Sequence, residues 1–406
     1  MPKPRITFIV CLLLSFAVGV TINSLATSLL AFQKVFGVSN EILGRIQFLF
    51  YIGGGFIVLA GGWLTNRLGE KRAGMIVLGC LSLSSLMVAR APSFSWILAS
   101  SLLFGFGCNG AYVVYSVIVA RQYADRRQSM FSIVSLSETT AAILQPIAFS
   151  AWFSHVESRS GGSWLLAPYT GVAAIPLVAL LLLSFLWKPS PAAEAASEVK
   201  ERREGSAREV LLSSGIWFIG FCCFLHGAFQ IGFVTWVGPY FAARTGITPA
   251  QAALFISVNA GGFVVARALL GWLCTRIKIP DLVLLGLASG MGTIIICLVF
   301  LTRSYALALV LTFIQGFFVA GNAPAMSSFV GGRFIRQVAL AYALYTGLGQ
   351  VGSAGGGYIV GFLGDWLGSI QRAAWLIPIA SGSLALLAFG WHYLEKRKQP
   401  VGIPVT

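Results

Sequence analysis

Apolar residues occur along this chain in long continuous runs, separated by short polar segments. Each run is close to the roughly 20 residues that an α-helix needs to cross a bilayer. The runs lack the strict alternation of a transmembrane β-barrel. The pattern therefore predicts an all-α polytopic membrane protein with twelve transmembrane helices. The runs cover residues 6–30, 43–65, 74–89, 96–120, 128–153, 165–187, 214–241, 250–274, 282–301, 305–330, 338–363 and 373–394.

The second half of the chain repeats the first, because several groups of identical residues recur at one constant separation of 209 positions. With six spans in each half, the two copies have the same orientation in the membrane, so the repeat is of the parallel kind. This predicts two pseudo-symmetric six-helix bundles. The matched groups are Gly37 and Gly246, Gly62-Trp63-Leu64 and Gly271-Trp272-Leu273, Arg67 and Arg276, and Arg127-Gln128 and Arg336-Gln337.

One connection differs from the others in composition. Residues 189–210 are polar, charged and rich in alanine and proline. Such a composition is typical of a linker between domains, and we expect it to be partly helical or to lie along the membrane. The predicted domains are an N-terminal bundle over 1–187, a linker over 188–213 and a C-terminal bundle over 214–406.

Composition and charge narrow the function classes. Apolar residues make up 57% of the chain and charged residues 10%, which excludes a soluble fold and a disordered chain. Twenty of the 28 Lys and Arg residues fall in connections on one side of the membrane, so we expect that side, with both termini, to be cytoplasmic. The net charge of +15 then reflects topology, and no nucleic-acid partner is expected.

The segment Gly62-Trp63-Leu64-Thr65-Asn66-Arg67-Leu68-Gly69-Glu70-Lys71-Arg72 resembles the signature between spans two and three of the major facilitator superfamily. The resemblance covers the whole chain and implies a fold in which two bundles rock around a central site. The usual acidic position is Asn66, which carries no charge, so the resemblance implies a weaker lock of the outward-open state. The residues that match this gating motif are Gly62, Arg67, Gly69, Lys71 and Arg72, with a degraded second copy at Gly271 and Arg276.

A looser resemblance concerns span eight. Arg267 and Gly271 are similar to the Arg-x-x-x-Gly of monocarboxylate porters and oxalate-type antiporters, in which the arginine contacts the substrate carboxylate. Phe263 replaces the Asp that usually lies one turn before this arginine. The acidic signature of monocarboxylate porters is absent from span one, and the Gly-x-x-x-Gly-Pro pattern of drug/proton antiporters is absent from span five.

Two formal charges lie well inside the spans, Glu138 in span five and Arg267 in span eight. Each costs roughly 2.5–3.5 kcal/mol at a helix centre. The superfamily fold implies that spans five and eight face each other, and three interpretations stay open. The two form a static ion pair or Glu138 bonds to helix hydroxyls, Arg267 anchors an anionic substrate, or Glu138 carries a proton.

Spans one, four, seven and ten line the cavity in the superfamily fold. Each carries polar residues at mid-depth, which predicts a polar substrate site. The alternative for each residue is a hydrogen bond between helices, and His226 is either a neutral core histidine or a donor to substrate. The predicted residues are Asn23 with Thr27, Asn109 with Tyr112, His226 with Gln230, and Gln315 with Asn322.

These features predict a secondary transporter of a small organic solute. The expected cargo is a small organic anion similar to a monocarboxylate, coupled to protons. The alternative is an exporter of drugs and hydrophobic compounds or a transporter of a neutral metabolite or sugar. The chain has no Walker A motif, zinc site or nucleophile elbow, so we expect no enzyme activity, cofactor or metal. We also expect a monomer in a bacterial inner membrane, with the solute, protons and lipid as its partners.

Overall fold

The computed structural model describes residues 4–122, 127–156, 162–186, 207–276, 279–334 and 338–398, which form helices and short connections with no strand. We number the spanning helices α1 to α12. They are α1 (Pro4–Ile22, Ser24–Thr27 and Leu29–Phe36), α2 and α3 (the two arms of Asn40–Ala89), α4 (Phe94–Gln122), α5 (Arg127–Val156), α6 (Pro168–Leu186), α7 (Ser214–Thr245), α8 (Pro249–Arg276), α9 (Asp281–Leu301), α10 (Tyr305–Val319 and Asn322–Arg333), α11 (Val338–Trp366) and α12 (Ile370–Ala373 and Leu376–Lys398).

Ten segments of the described chain are both long and apolar enough to cross a membrane. The other two spans, α5 and α11, are also long, at 30 and 29 residues. Their sequences contain more Ser, Thr, Gly and Gln than the other spans. Both helices pack between the two bundles. A location shielded from lipid tolerates polar and small residues, which explains their lower hydropathy.

Helix packing repeats between the two bundles. In the first bundle α1 packs on α5, α2 on α4, and α3 on α6; in the second α7 packs on α11, α8 on α10, and α9 on α12. The bundles meet where α2 contacts α11 and where α8 contacts α5, which are equivalent pairs under the repeat. The matched glycines Gly37 and Gly246 end α1 and α7 with φ angles of 61° and 70°. The predicted pair of six-helix bundles is therefore confirmed.

The connection expected between spans two and three is much shorter than the hydropathy pattern predicts. Helical backbone continues on both sides of Gly69, which has φ 79° and ψ 156°, a region that side chains rarely adopt. Lys71 donates to the carbonyl of Ser184, 2.8 Å away, and so ties α3 to the last turn of α6. Arg67 and Arg72 are exposed.

Other parts of the gating motif and the linker are less fully described. Gly62, Asn66, Gly271 and Arg276 are described only as helical backbone. Most of the predicted linker lies outside the described residues. Its last part contains a short helix, Ala207–Leu212, whose Leu211 carbonyl accepts a hydrogen bond from the indole of Trp217 at 2.8 Å.

The two bundles are in contact at the face opposite to the chain termini, which we call the opposite face; the face where α1 begins and α12 ends is the terminal face. The Asp365 carboxylate at the end of α11 accepts hydrogen bonds from the first turn of α2. The donors are the backbone N–H groups of Asn40 (3.1 Å) and Glu41 (2.7 Å) and the side-chain amide of Asn40 (3.0 Å). Nearby, a space of only about 10 Å³ remains between α1, α7 and α8. The bundles are therefore closed against each other at the opposite face.

Candidate functional site

Close packing of α1 against α5 fixes the position of Glu138. A Cβ atom on Gly19 would lie 2.0 Å from the carbonyl oxygen of Glu138, so only glycine permits this approach. The Glu138 carboxylate accepts a hydrogen bond of 2.9 Å from the hydroxyl of Tyr115 on α4. Tyr115 itself is fully buried. The carboxyl group therefore has a fixed donor although it lies in the middle of the protein.

Arg267 lies in the second half of α8, the helix that packs on α5 of the other bundle. Its side chain is exposed, and its guanidinium lies over the ring of Phe263 at 5.7 Å. Arg267 is within electrostatic range of Glu138. The two are not within ion-pair distance, and in the described part of the chain no other carboxylate pairs with Arg267. Arg267 thus has a cation–π contact but no acidic partner among these residues.

The exposure of Tyr112 indicates solvent-open space between the bundles, which we call the void. Tyr112 is 53% exposed, although its ring packs on Tyr115, which bonds to Glu138 of α5. Asn109, one turn before it on the same face of α4, has its side-chain oxygen 3.5 Å from the amide nitrogen of Gln350 on α11. An exposed side chain that faces the other bundle must line a space between the bundles. An acid and a cation beside such a space can bind a proton and an anion.

Three amide side chains form a closed ring in the second bundle. Gln230 of α7 donates to Asn259 of α8 at 3.3 Å, Asn259 donates to Gln315 of α10, and Gln315 donates back to Gln230 at 3.2 Å. Asn259 and Gln315 are buried, whereas Gln230 is half-buried. Each amide donates one hydrogen bond and accepts one, so the ring fixes the orientation of the Gln230 amide.

A second network contains His226. The amide nitrogen of Asn322 lies 3.3 Å from Nδ1 of His226, and the Asn322 oxygen accepts from Ser289 of α9 at 3.3 Å. An amide nitrogen only donates, so Nδ1 of His226 accepts and the proton of the neutral ring is on Nε2. His226 is half-buried and Asn322 is fully buried. Nε2–H remains available as a donor.

The structure brings some of the predicted site residues together. Gln230 and Gln315 are hydrogen-bonded to each other, as are His226 and Asn322, and Tyr112 lies near Glu138 and Arg267. No hydrogen bond joins the side chain of Asn23 to another predicted site residue in the described ranges. Its carbonyl accepts bonds from the backbone and the hydroxyl of Thr27, at 2.9 and 2.8 Å.

Sequence reasoning did not single out Tyr115, Asn259 or Ser289. Tyr115 follows Tyr112 by three residues on the same helix, and a buried tyrosine hydroxyl usually has an acceptor. That need is the sequence signal by which Tyr115 could have been found as a partner of a buried acid such as Glu138. Asn259 is one of few amides in the apolar run of α8, and buried amides in spans bond across helices. Ser289 carries no comparable signal.

Residues 9–309 and 239–405 match the model of the Major Facilitator Superfamily. "Probable anion transporter 2, chloroplastic" from Oryza sativa subsp. japonica is 24% identical over 375 residues, which cover 86% of this chain and 68% of that protein.

Solved structures share the fold at low sequence identity. A mutant of the nucleoside transporter NupG superposes with a TM-score of 0.76 at 14% identity, over 95% of this chain and 99% of that one. A D-xylose-proton symporter superposes with a TM-score of 0.72 at 16% identity, over 95% and 97% of the two chains. At such identities the likeness concerns the fold.

Proposed function

Because this chain belongs to the major facilitator superfamily, we propose that it is a secondary transporter that carries a small organic anion together with a proton. The observation that carries the proposal is the state of Arg267, which is exposed beside the void and has no acidic partner among the described residues. A cation at that depth is expensive unless it has a task. An organic anion compensates its charge. The rice relative, named as a probable anion transporter, supports the same class of cargo.

Proton coupling follows from the proximity of Glu138 to Arg267. A positive charge near a carboxyl group favours its ionised form. An anion bound to Arg267 cancels that charge, so the carboxylate then takes up a proton more readily. By linkage, protonation of Glu138 strengthens anion binding in turn. This reciprocity is the physical basis of symport.

In this proposal some of the remaining predicted residues contact the cargo and others hold those residues in position. Tyr112 lines the void beside Arg267, and Nε2–H of His226 and the amide of Gln230 supply donors to the cargo. Gln315 and Asn322 are buried and act as positioning residues for Gln230 and His226. Asn23 and Asn109 contribute polar surface on the first bundle.

We place both termini in the cytoplasm of a bacterial cell, on the distribution of Lys and Arg. The chain is a multi-pass membrane protein, and in this placement it acts as a monomer in the inner membrane. The opposite face is then periplasmic, and its closure gives an inward-facing arrangement. Transport requires the contact of Asp365 with α2 to open and the terminal face to close. The gating motif, with Gly62, Asn66, Arg67, Gly69, Lys71, Arg72, Gly271 and Arg276, lies at the terminal face and takes part in that second step.

A neutral polar solute is the second candidate cargo. The fixed amide of Gln230, held by Asn259 and Gln315, favours it, because amides recognise hydroxyl and carbonyl groups without charge.

A binding screen on the purified protein tests the proposal. Thermal unfolding is followed with acetate, pyruvate, succinate and benzoate, and with xylose and uridine as neutral probes. We expect at least one carboxylate to raise the melting temperature. We expect Arg267→Gln to abolish that shift and Arg303→Gln, which removes an exposed charge on the α9–α10 connection, to retain it. Stabilisation by neutral probes alone, or a carboxylate effect that survives Arg267→Gln, would overturn the anion proposal.

A further inference from the structure

One aromatic ring contacts the unpaired guanidinium. Arg267 lies over Phe263 at 5.7 Å. Tyr112 of α4 packs on Tyr115, which bonds to Glu138 of α5, the helix that packs on α8, and Tyr112 presents more than half of its side chain to solvent. An aromatic ring left exposed inside a protein is apolar surface that a bound solute can cover.

Only part of the Tyr112 side chain is used within the protein. One side of its ring meets Tyr115 edge to face, with centroids 5.1 Å apart at 65°. In the described residues its hydroxyl has no hydrogen-bond partner. Tyr115 is anchored by Glu138 at 2.9 Å, so the Tyr112 ring rests on a fixed neighbour. The exposed part of the ring is therefore presented in one orientation.

Tyr345 of α11 supplies a further ring from the second bundle. Its hydroxyl is 2.8 Å from the Ser327 hydroxyl, and its ring packs on Tyr342 with centroids 5.3 Å apart. It lies within electrostatic range of Tyr112. The cation and Phe263 therefore come from the second bundle, whereas the exposed ring of Tyr112 comes from the first.

This geometry points to an aromatic carboxylate as the cargo, with its carboxylate on Arg267 and its ring against Tyr112 as the specificity-determining residue. The inference rests on the proposed function, since it requires that Arg267 binds an anion. A short aliphatic carboxylate satisfies the guanidinium but leaves the Tyr112 ring uncovered. A planar ring attached to the carboxylate satisfies both. A saturated ring of similar size lacks the flat face and the quadrupole that aromatic pairs use.

The test compares benzoate with cyclohexanecarboxylate by titration calorimetry on the full-length purified protein. The two acids have the same charge and similar volume. We expect benzoate to bind about 2- to 10-fold more tightly, the range for one aromatic pair. Tyr112→Phe keeps the ring and should keep the preference, whereas Tyr112→Leu should remove the preference.

Three results overturn the inference in distinguishable ways. Equal affinity of the wild type for the two acids contradicts it, even if Tyr112→Leu fails to fold. A preference for benzoate that persists in folded Tyr112→Leu assigns the selectivity to another residue. Absence of binding by either acid rejects the inference alone, because the carboxylate screen with Arg267→Gln decides the anion proposal separately.

Discussion

At the residue scale, the proposed binding of an anion and a proton depends on the arrangement of Tyr115, Glu138 and Arg267. Tyr115 donates to Glu138 at 2.9 Å, and Arg267 lies near the same carboxylate without pairing with it. A direct ion pair would satisfy both charges and leave neither for a cargo. Separation leaves the cation free for an anion and the acid free for a proton. The hydrogen bond of Tyr115 keeps Glu138 from closing that separation.

Glu138→Gln is expected to uncouple transport from the proton gradient. The amide still accepts the hydrogen bond of Tyr115 but cannot carry a proton. In proteoliposomes with an imposed pH gradient, the wild type should accumulate carboxylate above the external concentration, whereas the variant should only equilibrate it. Glu209→Gln removes an exposed acid on the short helix Ala207–Leu212, away from the spans, and serves as the control that keeps accumulation. Undiminished accumulation by Glu138→Gln would show that another group carries the proton.

Sequence alone identified Glu138 and Arg267, because formal charges inside apolar runs are rare. It did not identify Tyr115 or Asn259. Hydroxyl and amide side chains are common in spans, and their partners depend on how each helix is rotated about its axis. That rotation is set by contacts such as Gly19 against the Glu138 backbone, which no single span encodes.

At the element scale the main feature is the contact between the end of α11 and the start of α2. Asp365 accepts two backbone N–H groups from the first turn of α2, which have no partner within the helix. Negative charge at a helix N-terminus is also favoured by the helix dipole. This contact between bundles must break whenever the opposite face opens. The Asp365 contact therefore influences the balance between the arrangement in which the opposite face is closed and the one in which it is open.

We expect Asp365→Asn to weaken the contact between α11 and α2 that closes the opposite face. One carboxylate oxygen becomes an amide nitrogen, which cannot accept an N–H group. Loss of about one net hydrogen bond, about 1 kcal/mol, should increase the open fraction roughly fivefold. The readout is maleimide labelling of Thr235→Cys, which lines the small closed space beside α8, in a variant without native cysteines. Asp281→Asn at the terminal face is the matched control, and equal labelling rates in both variants would refute the role of Asp365.

Apolar runs predicted where the helices exist, but not how they are interrupted. The breaks of α1 at Asn23 and Ser28 and the bend at Gly69 fall inside continuous helical patterns. Asp365 follows the predicted end of its span, and a lone acid there suggests only a solvated helix end. Its partner is 325 positions away in the chain, so the contact follows from the tertiary arrangement.

At the scale of the whole molecule, the internal repeat determines the architecture. Each bundle has the same three helix pairs, and the bundles meet through the equivalent pairs α2 with α11 and α5 with α8. The separation of 209 positions predicted this symmetry from sequence. The symmetry does not extend to chemistry, because the acid lies on α5 and the cation on α8. The cargo could not be predicted to the same depth, since it depends on which side chains face the void.

The most direct test of the central claim is exchange of a carboxylate across proteoliposomes at equal pH on both sides. The probe is the carboxylate that most stabilises the purified protein, and the rate in protein-free liposomes is subtracted. We expect rapid exchange by the wild type and by Arg303→Gln, and none by Arg267→Gln. Exchange by Arg267→Gln at the wild-type rate would contradict the claim that this arginine holds the transported anion.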